Sequence, residues 1–292
     1  MSVVSIAITG ATGYVGSHVA RLLANQGVRQ RLIGPDPHRL PSLPHADTAV
    51  VASYGDVQGM RDALRDVQTL FLISARESVD RVEQHKTAIN AAAAAGVERI
   101  VYLSYLSAAP DATFTFARHH FATEEYIRST GLDHAFLRDG PYLDYVPLLS
   151  GPDGVIRGPA GDGRMAPLAR DDIARAAVTI LLHEPRASAS YDLVGREDLT
   201  MTDCAAVLSE VTGRPIQFHN ETEAEAWASR RHYGAPDWEV EGWITTYLGI
   251  ARGEMGPASD IIERLTETPA QTLREFLQSH PESYHHLLTG QG

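Results

Sequence analysis

Three glycines punctuate the run Thr9-Gly10-Ala11-Thr12-Gly13-Tyr14-Val15-Gly16, directly after the apolar stretch from Val3 to Ile8. Glycines so spaced suit phosphate chemistry. Gly10 and Gly13 lack a Cβ, so the chain can turn tightly and bring backbone N–H groups against a pyrophosphate, while Gly16 lets the next helix pack close to its strand. A helix over 14–25, apolar at Val15, Val19, Leu22 and Leu23, would aim the partial positive charge of its N-terminus at the phosphates. A lone glycine pattern is weak evidence, but this one has the required strand before it and amphipathic helix after it. The motif predicts dinucleotide binding by Gly10, Thr12, Gly13, Tyr14 and Val15, against the plainer alternative of a structural turn.

Such a turn needs a parallel sheet behind it, and the period of the sequence supplies one. Short apolar runs predict strands at 4–8, 28–33, 48–52, 69–73, 99–104 and 133–137, separated by helices near 14–25, 58–65, 82–95 and 117–130. The alternation predicts an α/β fold with a Rossmann-type doubly wound parallel sheet, whose ligand crevice lies beyond the carboxyl ends of the strands. Candidate residues at those ends are 34–36, 53–56, Ser74, Ser104 and 138–142. After Gly140 the pattern weakens. Segment 150–164, rich in Gly and Pro, reads as loop or short hairpin. Then follow a helix over 170–183, a strand over 190–194 and a helix over 202–212, capped by Thr200 or Thr202 and ended by Gly213. Helical pieces at 233–256 and 263–278 come next, and Tyr284-His285-His286 reads as a frayed end. The expected organisation is a nucleotide-binding domain over 1–140, to which later segments return, and a smaller α/β substrate-binding cap over 141–292.

Composition narrows the partners. The 292 residues carry a formal net charge of -12, which repels nucleic acid and anionic membranes over most of the surface. Apolar residues make up 43%, enough for a core, but no uninterrupted apolar run reaches the ~18 residues of a membrane span. The single cysteine, Cys204, excludes an internal disulfide and offers no metal cluster; it reads as a buried apolar residue. These features predict a cytoplasmic monomer or homodimer without metal.

Further fragments carry a resemblance. Tyr54-Gly55-Asp56, Leu72-Ile73-Ser74, Gln84-His85, Ala94-Ala95-Gly96-Val97, Tyr102-Leu103-Ser104 and Leu137-Arg138-Asp139-Gly140 with Tyr142 follow the glycine turn in order. The run 158–164 and Ala169-Arg170-Asp171-Asp172-Ile173-Ala174 extend the series. Together these resemble an atypical short-chain dehydrogenase of the NmrA-like class, closest to its NAD(P)H:quinone oxidoreductase subgroup, which is related to azo-dye and triphenylmethane-dye reductases. The resemblance covers nearly the whole chain and weakens after about residue 220.

It also locates the chemistry. Better-known short-chain dehydrogenases use a Tyr-x-x-x-Lys pair, the tyrosine donating a proton and the lysine lowering its pKa. Phe116 and His120 stand at those positions here, and phenylalanine cannot transfer a proton. The quinone-reductase subgroup likewise lacks the tyrosine and carries a histidine at the position of His120. The resemblance implies that His120 faces cofactor or acceptor, hydrogen-bonding the nicotinamide ribose or supplying a proton; the bland alternative is a structural histidine. Its neighbour His119 reads as surface. Phe116, Pro141 and Tyr142 are the candidate acceptor contacts, with ordinary packing as the alternative, and the Tyr142 hydroxyl is a second candidate catalytic group. Asp139 and Pro141 depart from the subgroup's usual asparagine and tryptophan.

Cofactor choice turns on residues 33–39. The family's usual arginine for a 2′-phosphate is replaced by Pro35, leaving Arg39, with Arg31 or His38 nearby, as the candidate cation. Asp36 stands where NAD enzymes keep a carboxylate for the ribose. The subgroup implies NADP(H), with NAD(H) possible. Tyr54, Gly55 and Asp56 are expected near the adenine, and Ile73, Ser74, Ser104 and Gly140 beside the rest of the cofactor, although serines at strand ends also cap helices. Asp171-Asp172 reads as a helix start.

Two functions follow. One is an NAD(P)H-dependent reductase passing hydride to a flat conjugated acceptor such as a quinone or dye. The other is a non-enzymatic dinucleotide sensor that regulates a protein partner.

Overall fold

The computed structural model describes residues 4–182 and 188–288. Strand and helix alternate through β1 (Val4–Ile8), α1 (Tyr14–Asn25), β2 (Gln30–Gly34), β3 (Ala46–Val50), α2 (Val57–Ala63), β4 (Val67–Ile73), α3 (Arg81–Ala95), β5 (Arg99–Tyr105), α4 (Thr115–Thr130) and β6 (Asp133–Asp139). The chain continues through β7 (Val155–Gly158), α5 (Arg170–Leu182), β8 (Ala189–Leu193), α6 (Met201–Thr212), β9 (Gln217–Asn220), α7 (Glu223–Arg230) and α8 (Asp237–Ala251). Three short helices follow, α9 (Ile261–Thr266), α10 (Leu273–Ser279) and α11 (His285–Leu288).

Seven strands form one sheet in the order β3-β2-β1-β4-β5-β6-β8, with β1 parallel to β2 and β4, β2 to β3, and β4 to β5. This is the Rossmann-like α/β arrangement. Strand order reverses between β1 and β4, the switch point at which such sheets bind ligands. Consecutive residues of β4 (Leu70, Phe71, Leu72) and β5 (Ile100, Val101, Tyr102) are buried, because helices cover both faces of a parallel sheet. Met60, Leu64, Ile89, Ala92, Ile127 and Phe136 complete the core of that layer.

Two compact units share the chain. One comprises 1–110, 119–138 and 173–192; the other comprises 111–118, 139–172 and 193–292. Within the second, β7 and β9 form a two-stranded parallel sheet. Segment 150–164 therefore contains a strand whose partner lies some sixty residues on, where a loop or hairpin was expected; a parallel partner cannot be reached by a tight turn.

Local signals explain most boundaries. Thr200 caps α6 in a reciprocal box with Asp203, and Gly213 ends that helix in the left-handed conformation. The piece expected over 263–278 is two helices, α9 and α10, because Pro269 interrupts it and Thr272 starts a new capping box with Glu275. The expected frayed end at Tyr284–His286 is ordered: Leu287 is buried, and His286 Nε2 lies 3.2 Å from the Pro147 carbonyl oxygen. Cys204 is buried, and burial pushes its thiol up to about 12. Among the described residues, no helix is long and apolar enough to cross a membrane, and no His/Cys/Asp/Glu group could hold a metal ion.

Candidate active site

The glycine turn leaves β1 at the switch point. Gly10 adopts φ +62°, and a Cβ there would stand 3.3 Å from the Ile73 Cβ at the end of β4. Thr9 ties the two strands: its hydroxyl donates to the Phe71 carbonyl (3.2 Å) and accepts the Ile73 N–H (3.0 Å). The Tyr54 hydroxyl donates to the Ile73 carbonyl at 2.7 Å, and burial pushes its pKa up. The structure thus brings Gly10, Tyr54 and Ile73 together. Gly13 caps α1 without a side chain, and no acid occupies the first turn of that helix. A side-chain cap or a carboxylate would compete for the same amides, so this terminus suits the pyrophosphate of a dinucleotide.

Gly16 makes the close approach possible. A Cβ at that position would stand 2.8 Å from the Gly10 carbonyl carbon and 3.1 Å from the Ala11 Cα. Since the obstacle is backbone, Gly16→Ala should push α1 away from the turn, costing about 1–3 kcal/mol of packing and weakening NADPH binding roughly ten-fold or more. Calorimetric titration checks this, and an unchanged dissociation constant would remove the turn from the site.

The loop after β2 sorts its charges. Arg31 pairs with Asp47 at 3.0 Å and donates to the Ala63 and Arg65 carbonyls, so it is committed to the fold and does not serve as the spare cation considered above. Asp36 accepts the His38 N–H at 2.9 Å, and Arg39 is exposed in the same turn. Asp56 caps α2 by accepting the Gly59 N–H at 2.9 Å.

On the other side of the switch point lies a buried chain of histidines. The His85 Nε2 accepts the Ala75 N–H at 2.8 Å, while its Nδ1 meets the Thr123 hydroxyl at 2.8 Å; that hydroxyl donates onward to the His119 carbonyl. These partners require the neutral Nδ1–H tautomer. Burial, reinforced by Arg81, holds His85 down at about 3. Arg81 is itself buried and donates through Nε to the Ala75 carbonyl (2.8 Å), so α3 grips both backbone polar groups of Ala75, just beyond Ser74. His120 is buried on α4, its Nδ1 3.0 Å from the Tyr102 hydroxyl. Burial and then Arg81 hold it well below its usual value. His119 is half-buried rather than on the surface, and burial lowers it too.

Ser104 turns into the protein. Its hydroxyl donates to Glu124 at 2.6 Å, and this fully buried carboxylate also takes two bonds from Arg138 (2.8 and 2.6 Å) and one from Arg128 (3.2 Å). Arg138 lies in the Leu137–Gly140 fragment singled out in sequence, but its bond to Glu124 left no local mark, because it joins α4 to β6 across a turn.

In the second unit, Phe116 is buried, with ring centroids 6.0 Å from Trp238 and 5.5 Å from Phe114. Gly242 of α8 makes room for it; a Cβ there would approach the Phe116 ring to 2.5 Å. Trp238 and Gly242 were missed in sequence because nothing local links α8 to residue 116. The Tyr142 hydroxyl donates to Asp139 at 2.6 Å. Gly140 and Pro141 use their backbones, the first donating to the Leu193 carbonyl (3.2 Å) and the second accepting the Leu168 N–H (2.9 Å).

Comparisons with known proteins place the chain among its relatives. Residues 10–184 match the NAD(P)H-binding family. Quinone oxidoreductase 2 of Escherichia coli (strain K12) is 33% identical over 277 residues, covering 92% of this chain and 96% of that protein. The crystal structure of NADPH-dependent quinone oxidoreductase from Escherichia coli with NADPH superposes with a TM-score of 0.86 at 31% identity, covering 94% and 99% of the two chains. Triphenylmethane reductase of Citrobacter sp., crystallised with NADP(H), gives 0.84 at 28% identity with the same coverage. Nmra, a negative transcriptional regulator solved with NAD, shares the fold alone at 17% identity and a TM-score of 0.77. The chain belongs to the NAD(P)H-binding family, together with quinone oxidoreductase 2 of Escherichia coli.

Proposed function

We propose that the protein is an NAD(P)H-dependent reductase that passes hydride directly to a flat conjugated acceptor, a quinone or a dye. The observation that carries this reading is the state of His120. An imidazole buried against Tyr102 and held neutral is a poor acid. If the Tyr102 hydroxyl donates to Nδ1, the ring proton sits on Nε2, where it can hold a ligand oxygen. A quinone needs little more, because the oxyanion left by hydride addition is stabilised as the ring aromatises, and its protons come from solvent. NAD(P)H, when bound, supplies the hydride; the protein supplies the glycine cradle and the neutral donor. The relatives named as quinone and triphenylmethane reductases support the acceptor class.

We infer a preference for NADP(H) from Arg39. With Arg31 committed to Asp47, Arg39 is the exposed guanidinium left in the turn after β2 to meet a 2′-phosphate. The test follows NADPH and NADH oxidation against a panel of quinones and triphenylmethane dyes. Oxidation with at least one acceptor is expected, and Arg39→Ala should weaken NADPH roughly ten-fold while leaving NADH unchanged. Cofactor binding without oxidation by any acceptor would reject the reductase in favour of the sensor.

A further inference from the structure

Ser74 stands between two peptides that side chains of other elements hold. On one side the Tyr54 hydroxyl donates to the Ile73 carbonyl at 2.7 Å, and on the other the Ala75 N–H donates to His85 Nε2 at 2.8 Å. In a trans peptide the N–H and C=O point opposite ways, so these two bonds fix the planes on both sides of Ser74 and with them the direction of its Cβ. His85 is itself oriented from α4: the Thr123 hydroxyl gives its proton to the His119 carbonyl at 2.9 Å and so accepts from Nδ1–H at 2.8 Å, which leaves the Nε2 lone pair for Ala75. Burial keeps that ring neutral. Arg81 completes the hold by donating to the Ala75 carbonyl. The half-buried Ser74 directly follows β4, next to the glycine turn, where a Cβ on Gly10 would stand 3.3 Å from the Ile73 Cβ. Among the described residues its hydroxyl has no hydrogen-bond partner, in contrast to Ser104, whose hydroxyl is given to Glu124.

From this we infer that His85 is a positioning residue for the dinucleotide: through the Ala75 N–H it aims the Ser74 hydroxyl at the phosphate–ribose stretch of the cofactor. The inference rests on the reading that the dinucleotide lies along the glycine turn. His85 acts without touching the ligand. A serine whose backbone is already set has only its side-chain rotors left to order when the cofactor arrives, so the contact costs less entropy than one made from a loose loop. Releasing the Ala75 N–H lets Ser74 take several directions, and the contact then weakens in the ground state and the transition state alike.

A double-mutant cycle on NADPH binding, read by calorimetric titration, tests this. Ser74→Ala should weaken NADPH roughly five-fold, the worth of one hydrogen bond. His85→Leu, which cannot accept from Ala75, should weaken it by a similar factor in the wild-type background and by less than about two-fold once Ser74 is replaced by alanine. Folding stability, read by urea titration of the same proteins, should instead fall additively. His85→Gln, whose amide oxygen can take the Ala75 N–H, should restore most of the affinity. In turnover the change should appear in KM for NADPH, with kcat held within about two-fold. Should His85→Leu fail to fold, Thr123→Val takes its place in the cycle, since it frees the ring to carry its proton on Nε2, donor facing donor at Ala75. Two results overturn the inference: a Ser74→Ala protein that binds NADPH as the wild type does, or a His85 loss of equal size in both backgrounds, which is what a merely structural histidine gives. Gly16→Ala separates the first of these from a failure of the turn reading, because it weakens NADPH only if the cofactor lies along the turn. The reductase reading fails on its own terms: coupled loss of NADPH binding in a protein that reduces no acceptor rejects the reductase and leaves the positioning standing.

Discussion

Lowering the pH from about 6.5 to about 5 should remove on the order of 3 kcal/mol of folding stability, before most carboxylates protonate. His85 and His120 are the main cause, and the half-buried His119 adds a smaller share. The main pair are buried and held neutral, the first at about 3 and the second well below its usual value. The unfolded chain titrates them near 6.5, so below that pH it binds protons that the folded protein refuses. The sign is therefore fixed: the contribution is fully present above about 6.5 and is lost as pH falls toward the folded values, at roughly 1.4 kcal/mol per pH unit for each histidine. Urea titrations at several pH values read the slope directly. His85→Gln removes one titrating group, while its amide can still accept from Ala75 and donate to Thr123, so the slope should fall by about half. A stability that stays flat across this window would show that these rings take up protons in the folded state.

Glu124→Ala should cost about 3 kcal/mol, near the lower end for breaking a buried ion pair, because Arg138 and Arg128 keep some access to water. The loss has several parts. Arg138 forfeits both its bonds to the carboxylate, Arg128 loses one, and the buried Ser104 hydroxyl is left without this acceptor. Glu124→Gln preserves shape and part of the bonding, so it should restore a substantial share of the lost stability. Because Glu124 is one helical turn beyond His120, the alanine variant should also weaken cofactor binding more than its stability loss alone explains. A midpoint within about 1 kcal/mol of wild type would mean that the carboxylate contributes no net energy to the fold.

What was legible in the sequence follows from the range over which each signal acts. The glycine turn, the six strands of the first half and the Thr200 and Gly213 boundaries are all written within a few neighbouring residues, and the structure has them where periodicity and capping chemistry placed them. The β7–β9 pairing was not legible, because a parallel partner some sixty residues away leaves no mark on either strand. The ordered terminus was missed because the apolar stretch there is only the pair Leu287-Leu288, too short to show a helical period. The place of Gly10 in the turn could be named from order alone. The direction in which side chains turn could not: Ser104 reads as a strand-end ligand until Glu124 is seen beneath it, and Arg31 reads as a spare cation until Asp47 is seen beside it.

The division of the chain into two units carries a consequence for how the protein is made and inherited. The backbone passes between the units after residues 110, 118, 138, 172 and 192, and the nucleotide-binding unit draws its last piece from 173–192. On the ribosome that unit cannot be complete until about two thirds of the chain has emerged, so the first half must wait, partly open, for its own edge. Nor can either unit be exchanged as a cassette between relatives, since no single cut separates them. New acceptor preferences in such a chain have to arise by substitution in place.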